Sequence, residues 1–343
     1  MSTTADASGG TARRWVMTVI GLAISIALLA WALRDTSLSE VLAHFKSARL
    51  GPLGASVSVA TLVFGIRTIR WRYLLRRPDG RPVAWPALWH ATAMGFMANN
   101  TLPFRLGELV RSYAVSRLGQ VSLPMAFSSV AVERALDGMT LLGLLVVALV
   151  RARLPADTMI MGARLDLAAG RAAVVCAVIL LGAIIVVALP RFTERMARRV
   201  VPFHGVAERL VGLLESLRGG FSALRSPARL AAAVAWSVVH WLVNALSFYL
   251  AFAAFGIEVG FTGALLVQGI VAFAIAAPST PGYFGVFEFF VAAGLALFGV
   301  PKDVGIAYGI TYHITTFIPI TLLGLYSLVT TGLQVKDARA ARV

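Results

Sequence analysis

Two polar stretches interrupt long hydrophobic sequence: NNTLPFRLGELVR at 99–111 and PSTPGYFGVFE at 278–288. Each sets proline, glycine and a carboxylate between two apolar runs, where a lipid-embedded chain least tolerates irregular backbone. Inside a bilayer no water satisfies the freed N–H and C=O groups, so such breaks persist only when buried in protein or lining a wet cavity. Broken helices at matching positions of two halves point to the binding site of a transporter. The two stretches therefore read as two sides of one site in a membrane-spanning chain. Composition agrees, because only 14% of the 343 residues are charged and 58% are hydrophobic. A soluble domain carries about a quarter charged residues.

The net charge of +15 raises the question of nucleic acid. Placement answers it: the basic residues cluster in a few loops between apolar runs, as on a cytoplasmic face that also attracts anionic lipid. No nucleic-acid partner is expected. The single Cys176 lies in an apolar run without a partner in the chain. His44, His90, His204, His240 and His313 are scattered and show no HExxH spacing. No metal site and no cofactor follow from this pattern.

Along the chain, residues 1–12 are small and polar and read as disordered, and 13–343 form one membrane domain. Arg13 and Arg14 precede an apolar run at 15–33, long enough for an uncleaved first span. The loop 34–51 is nearly charge-balanced, which suits the outside. A second run at 52–75 ends in Arg67, Arg70, Arg72, Arg76, Arg77 and Arg81 against Asp79, the strongest inside signal of the first half. A helix from 86 breaks at 99–103 and restarts near Leu106, each arm too short to cross, so a re-entrant hairpin is expected. A span at 124–150 and another at 172–190 follow. Residues 191–229 carry eight Arg and three Glu, with Val206, Leu210, Leu213, Leu214, Leu217 and Phe221 on one helical face. This segment reads as a cytoplasmic amphipathic helix, lying on the membrane or on the protein itself. A span at 230–255, two arms at 261–277 and 283–299, and a last span at 305–332 complete the set. Residues 333–343 form a tail, and both termini fall on the cytoplasmic side.

The fold expected is an all-α polytopic membrane protein of about six spanning helices and two re-entrant broken-helix hairpins. Counting the arms of the hairpins as spans gives eight helices. Residues 13–150 and 172–332 follow one recipe, and three crossings per half make the second half inverted. Pro103 and Gly107 echo Pro281 and Gly285, and TLLGL occurs at 140–144 and again at 321–325.

The chemistry concentrates at three places. Glu133, Arg134 and Asp137 sit about nine residues into their span, roughly 13 Å deep, in a core about 30 Å thick. Ionisable residues at that depth mark a functional pathway by default, and a structural ion pair is the plainer reading. Two acids against one arginine call for a second cation, either Arg105 or a substrate group. In the first break, Asn99, Asn100, Arg105, Glu108 and Arg111 sit where the restarted arm turns its N-terminus inward, suited to an anion such as phosphate. In the second, Pro281 and Gly282 make the turn and Gly285 allows close approach, while Glu288, like Glu108, is a candidate to bind an amine, exchange a proton or clamp these arginines. Inverted halves bring the two hairpins together, with Arg105 close to Glu288 or to the turn. His313, Tyr312 and Thr315 read as helix packing, Asn244 and His240 as interhelical hydrogen bonding, and Arg67, Arg70 and Trp71 as a helix-end anchor.

The run LPFRLGELVR, the intramembrane ERALD and PSTPGYFGVFE together resemble the family named for the membrane region of bacterial lysyl-phosphatidylglycerol synthase. That family is similar to the flippase half of the multiple-peptide-resistance protein. The resemblance implies translocation of a lipid or lipid-linked headgroup between leaflets of a bacterial inner membrane. The soluble aminoacyl-transferase domain of the synthase is expected to be absent, so aminoacyl-lipid synthesis does not carry over. The reading is a lipid flippase without covalent chemistry. It acts on an anionic or zwitterionic (amino)phospholipid or a polyprenyl-phosphate-linked lipid, and a homo-oligomer or a partner synthase fits its cytoplasmic face. Two alternatives stand beside it. One is an integral-membrane transferase or hydrolase using Glu133 and Asp137 as acid and base; the other is a scaffold docking a partner through 191–229.

Overall fold

The computed structural model describes residues 37–102, 106–152, 226–276 and 281–333, with parts of 158–200 and residue 211. Ten α-helices are described: α1 Leu38–Ser47, α2 Leu50–Leu74, α3 Trp85–Thr101, α4 Gly107–Leu118, α5 Leu123–Ala152, α6 Pro190–Val200, α7 Pro227–Ala254, α8 Phe261–Ala276, α9 Val286–Ala296 and α10 Lys302–Thr331. Between α5 and α6 lies a two-residue antiparallel pair, Met159–Ile160 with Ala163–Arg164. The expected span at 15–33, most of the one at 172–190, most of 201–225 with its apolar face, and the cytoplasmic tail beyond 333 lie outside the described residues.

Helices α2, α5, α7 and α10 run 25, 30, 28 and 30 residues and are apolar enough to cross a membrane. Even the shortest is about 38 Å long, beyond a hydrocarbon core of about 30 Å. The arms α3 and α8, at 17 and 16 residues, reach only about 25 Å, and α4 and α9 are shorter still. This is the all-α polytopic architecture with two broken hairpins. The two halves pack by the same pattern of partners. The spans α2 and α7 pack against each other along the middle. Helix α3 lies against α10 as α8 lies against α5, and each hairpin's second arm, α4 or α9, packs on the span that follows it. Two glycines permit the cross-half contacts. A Cβ on Gly324 of α10 would stand 2.6 Å from the Ala93 carbonyl oxygen of α3, and one on Gly269 of α8 would stand 2.9 Å from Leu145 of α5.

The two breaks are built differently. In the first, α3 continues through Asn99 and Asn100 to Thr101, so the asparagines end a helix where an interruption was expected. Asn99 Oδ1 accepts the Gly107 N–H at 2.9 Å, capping α4 from across the break. Asn99→Ala is expected to lower stability by about 1 kcal/mol, the usual cost of a lost N-cap acceptor, read as a lower thermal midpoint in detergent. In the second, a 3₁₀ turn at Pro281–Tyr283 leads to α9. Gly282 and Gly285 take φ of +67° and +85°, which side-chain-bearing residues rarely adopt. The tips of the two hairpins meet: the Asn100 carbonyl oxygen lies 3.2 Å from where a Cβ on Gly282 would stand.

The segment expected as an outer loop at 34–51 contains α1 and the start of α2. It folds because Val41 is buried against Ile306 and Ala307, and because His44 Nε2 lies 2.8 Å from Asp303 Oδ2 in the first turn of α10. Lys302 and Asp303, expected as loop, open α10 directly after Pro301.

Candidate functional site

Four arginines and two carboxylates meet where α2, α4, α5 and α7 converge. Glu133 of α5 is fully buried and accepts two hydrogen bonds from Arg111 of α4, Nη1 to Oε1 at 2.9 Å and Nη2 to Oε2 at 2.8 Å. Arg134 Nη2 and Arg70 Nη2 reach the same Oε1 at 2.8 and 2.9 Å. Asp137, one turn on, accepts from Arg70 through both oxygens, from Arg134 at 3.1 Å and from the Trp241 indole N–H of α7 at 3.2 Å. Ser237 adds an oxygen 3.0 Å from Arg70 Nη1. The Arg111 guanidinium lies 3.7 Å over the ring of Trp71, whose own N–H donates to Ser129 at 2.9 Å. Forked guanidinium–carboxylate pairs and ring stacking are what arginine does and lysine cannot.

Charge in this cluster does not balance. Arg67, Arg70, Arg111 and Arg134 face Glu133 and Asp137, and Glu108 approaches Arg134 at 3.8 Å. Among the described residues, four cations against three anions leave one positive charge over. Arg67 is the least engaged. Its Nη1 stays 3.8 Å from Glu133, it makes no hydrogen bond to a carboxylate among the described residues, and its guanidinium lies 5.0 Å over Phe96. The Nε atoms of Arg70, Arg111 and Arg134 are buried without a described partner.

Sequence reasoning placed Glu133, Arg134, Asp137, Arg111 and Glu108 here, and the structure brings them together. It missed two of the four cations, Arg67 and Arg70. Arg105 and Pro103 lie outside the described residues; among the described ones, Arg111 and Arg70 join Arg134 on the two acids, with Arg67 beside them. Arg67 and Arg70 had read as a helix-end anchor because Arg70 stands four residues from the end of α2. His240, expected to hydrogen-bond between helices, is buried with neither ring nitrogen partnered among the described residues, within electrostatic reach of Arg67, Arg70 and Asp137.

Glu288 is not free. Its Oε2 accepts the Gly285 N–H at 2.6 Å at the start of α9, and Oε1 lies 2.6 Å from His313 Nδ1 of α10. Phe284 stacks on that imidazole at 4.5 Å. His313, read as packing, is thus a hydrogen-bond partner of Glu288. Asn100 donates to Thr321 at 2.8 Å, joining the first hairpin to α10. Each hairpin's second arm therefore pairs with the following span, Arg111 with Glu133 and Glu288 with His313.

A polytopic bundle with two broken hairpins and a buried, arginine-rich ion cluster defines an integral membrane protein. Residues 18–324 match the lysylphosphatidylglycerol synthase TM region, and the chain belongs to that family. A UPF0104 membrane protein of Methanothermobacter thermautotrophicus is 25% identical over 284 residues, covering 76% of this chain and 78% of that protein. Glycosyltransferase AglD of Haloferax volcanii is 32% identical over 137 residues, 40% of this chain and 22% of that protein.

Proposed function

We propose that this protein translocates a phosphate-bearing lipid between leaflets of the bacterial inner membrane, passing the headgroup by the arginine cluster while the chains stay in lipid. The surplus positive charge carries this reading. A buried cation left unmatched is costly, and a transient anion removes that cost. Arg67 and Arg134 hold the phosphate, because they are the cluster members still partly exposed, at 12% and 31% of their side chains. Glu133 and Asp137 keep the arginines in register. Family membership supports a lipid-related role.

The transferase alternative, with Glu133 and Asp137 as acid and base, fits the geometry less well. All four of their carboxylate oxygens already accept from arginine or Trp241. The name of the Haloferax relative keeps a glycosyl transfer among the outcomes to be tested. Purified protein in liposomes separates the two: leaflet exchange of a labelled lipid without a covalent product is expected, and a glycosylated product would overturn the reading. Arg67→Gln is expected to slow exchange at least about tenfold, one charge contact being worth about 1–2 kcal/mol. Its thermal midpoint should stay near that of the unsubstituted protein. Unchanged exchange would remove Arg67 from the site.

A further inference from the structure

Beyond the buried cluster, the end of α2 carries a second cationic site. Ile69, Arg72 and Tyr73 share one face of the end of α2 and, with Arg76 just beyond it, Pro82 and Trp85, line a cavity of about 220 Å³. The loop that closes it is fixed. Arg76 and Pro82 form a β-bridge, Arg77 N–H donates to the Arg81 carbonyl at 3.0 Å, and Arg81 N–H donates to Asp79 at 3.0 Å. Asp79, the one acid of this loop, is shared between Arg77 at 3.6 Å and Arg81 at 4.0 Å. Arg72 and Arg76 have no carboxylate partner among the described residues, and Arg76 Nε is buried without an acceptor.

We propose that this cavity binds the phosphate of a lipid headgroup at the membrane surface, at a site separate from the buried cluster. Two unneutralised guanidiniums select an anion, and their planar donor forks suit phosphate oxygens. The volume lies below the roughly 300–1,000 Å³ of pockets that enclose a whole drug-sized ligand, so it takes a headgroup and leaves the chains in the bilayer. Polarity is graded to match. Ile69 lies toward the middle of the spanning helix and the arginines toward its end, with Tyr73 and Trp85 as the interfacial aromatics between water and lipid. A soluble phosphate compound offers the same anion without chains.

Binding is read at equilibrium and needs no translocation, so this site stands or falls apart from the function proposed above. Detergent-purified full chain is titrated with short-chain phosphatidylglycerol, and bound lipid is counted by native mass spectrometry. Arg72→Gln with Arg76→Gln is expected to weaken binding about tenfold or more, at least about 1.4 kcal/mol. The control is Arg117→Gln with Arg229→Gln, which removes the same charge from the same end of the molecule, where Leu230 packs on the cluster that holds Leu74 and Leu75. A Cβ on Gly119, just after α4, would lie 2.8 Å from Val83 of this loop. The control should change binding less than about twofold. Equal losses in both double variants would overturn the site in favour of diffuse surface charge. Inorganic phosphate should displace the lipid only at about a hundredfold higher concentration, because it lacks the chains. Displacement at matched concentration would overturn the lipid as occupant. Should the double variant fail to fold, Arg72→Gln alone, at an exposed position, carries the same comparison at about threefold.

Discussion

Glu133→Ala is expected to destabilise the folded protein by about 3–5 kcal/mol, and adding Arg111→Leu is expected to recover part of that loss. Glu133 is fully buried and holds Arg111, Arg70 and Arg134 within 2.9 Å. Removing it raises the excess positive charge of the cluster from one to two, in a place water reaches poorly. Removing Arg111 as well returns the excess to one and fills the space beside Trp71 with an apolar side chain. The coupling is read from thermal unfolding in detergent across the four-member cycle. A single variant as stable as the unsubstituted protein would show that Glu133 is not the keystone of the cluster. The gentler Glu133→Gln keeps the shape and loses the charge. It too should be destabilised, and its leaflet exchange should fall with the loosened arginines.

The second large effect is expected at Gly107. A Cβ there would stand 1.9 Å from the Gly95 carbonyl oxygen and 2.5 Å from Asn99 Oδ1, so Gly107→Ala must force α3 and α4 apart. Overpacking costs about 1–3 kcal/mol where side chains can yield. Here the obstacle is backbone, and a loss of about 3 kcal/mol or more is expected, together with displacement of Arg111 from Glu133. Gly143→Ala is the matched comparison, since nothing described lies within 4 Å of its Cβ position. That change should be neutral or stabilising by up to about 1 kcal/mol, because alanine favours helix. Equal effects at the two glycines would mean that the close approach of the hairpin arms is not tight in solution.

Long apolar runs announce themselves by length, and the helices α2, α5, α7 and α10 fall within a few residues of where hydropathy put them. The two breaks were equally legible, because proline and glycine change backbone preference locally. Partners distant in sequence were not. Arg70 meets Asp137 across 67 positions and Trp241 meets Asp137 across 104. Nothing near Arg70 distinguishes a buried ligand of a carboxylate from an anchor at a helix end. Helix α1 was hidden for a related reason: it is short, balanced in charge, and held by contacts to α10 far along the chain. The paired TLLGL motifs show how weak a short match is as a guide to role. Gly324 touches α3 at van der Waals distance or closer, whereas Gly143 has open space around it. Glu288 was recognised as a site residue from its position in the break, but its two partners, a backbone N–H and His313, follow only from the fold.

The contact between Gly95 and Gly107 has a mechanical meaning. With no side chains between them, the arms α3 and α4 have nothing to slide on and move as one lever. Movement is left to the seams where side chains intervene, such as the edge-on meeting of Phe64 with Trp89 and Phe96 between α2 and α3. Aromatic edges can shear past one another without exposing backbone to lipid. For the translocation proposed above, the path for a headgroup would be a gap between levers and frame, with each hairpin staying whole.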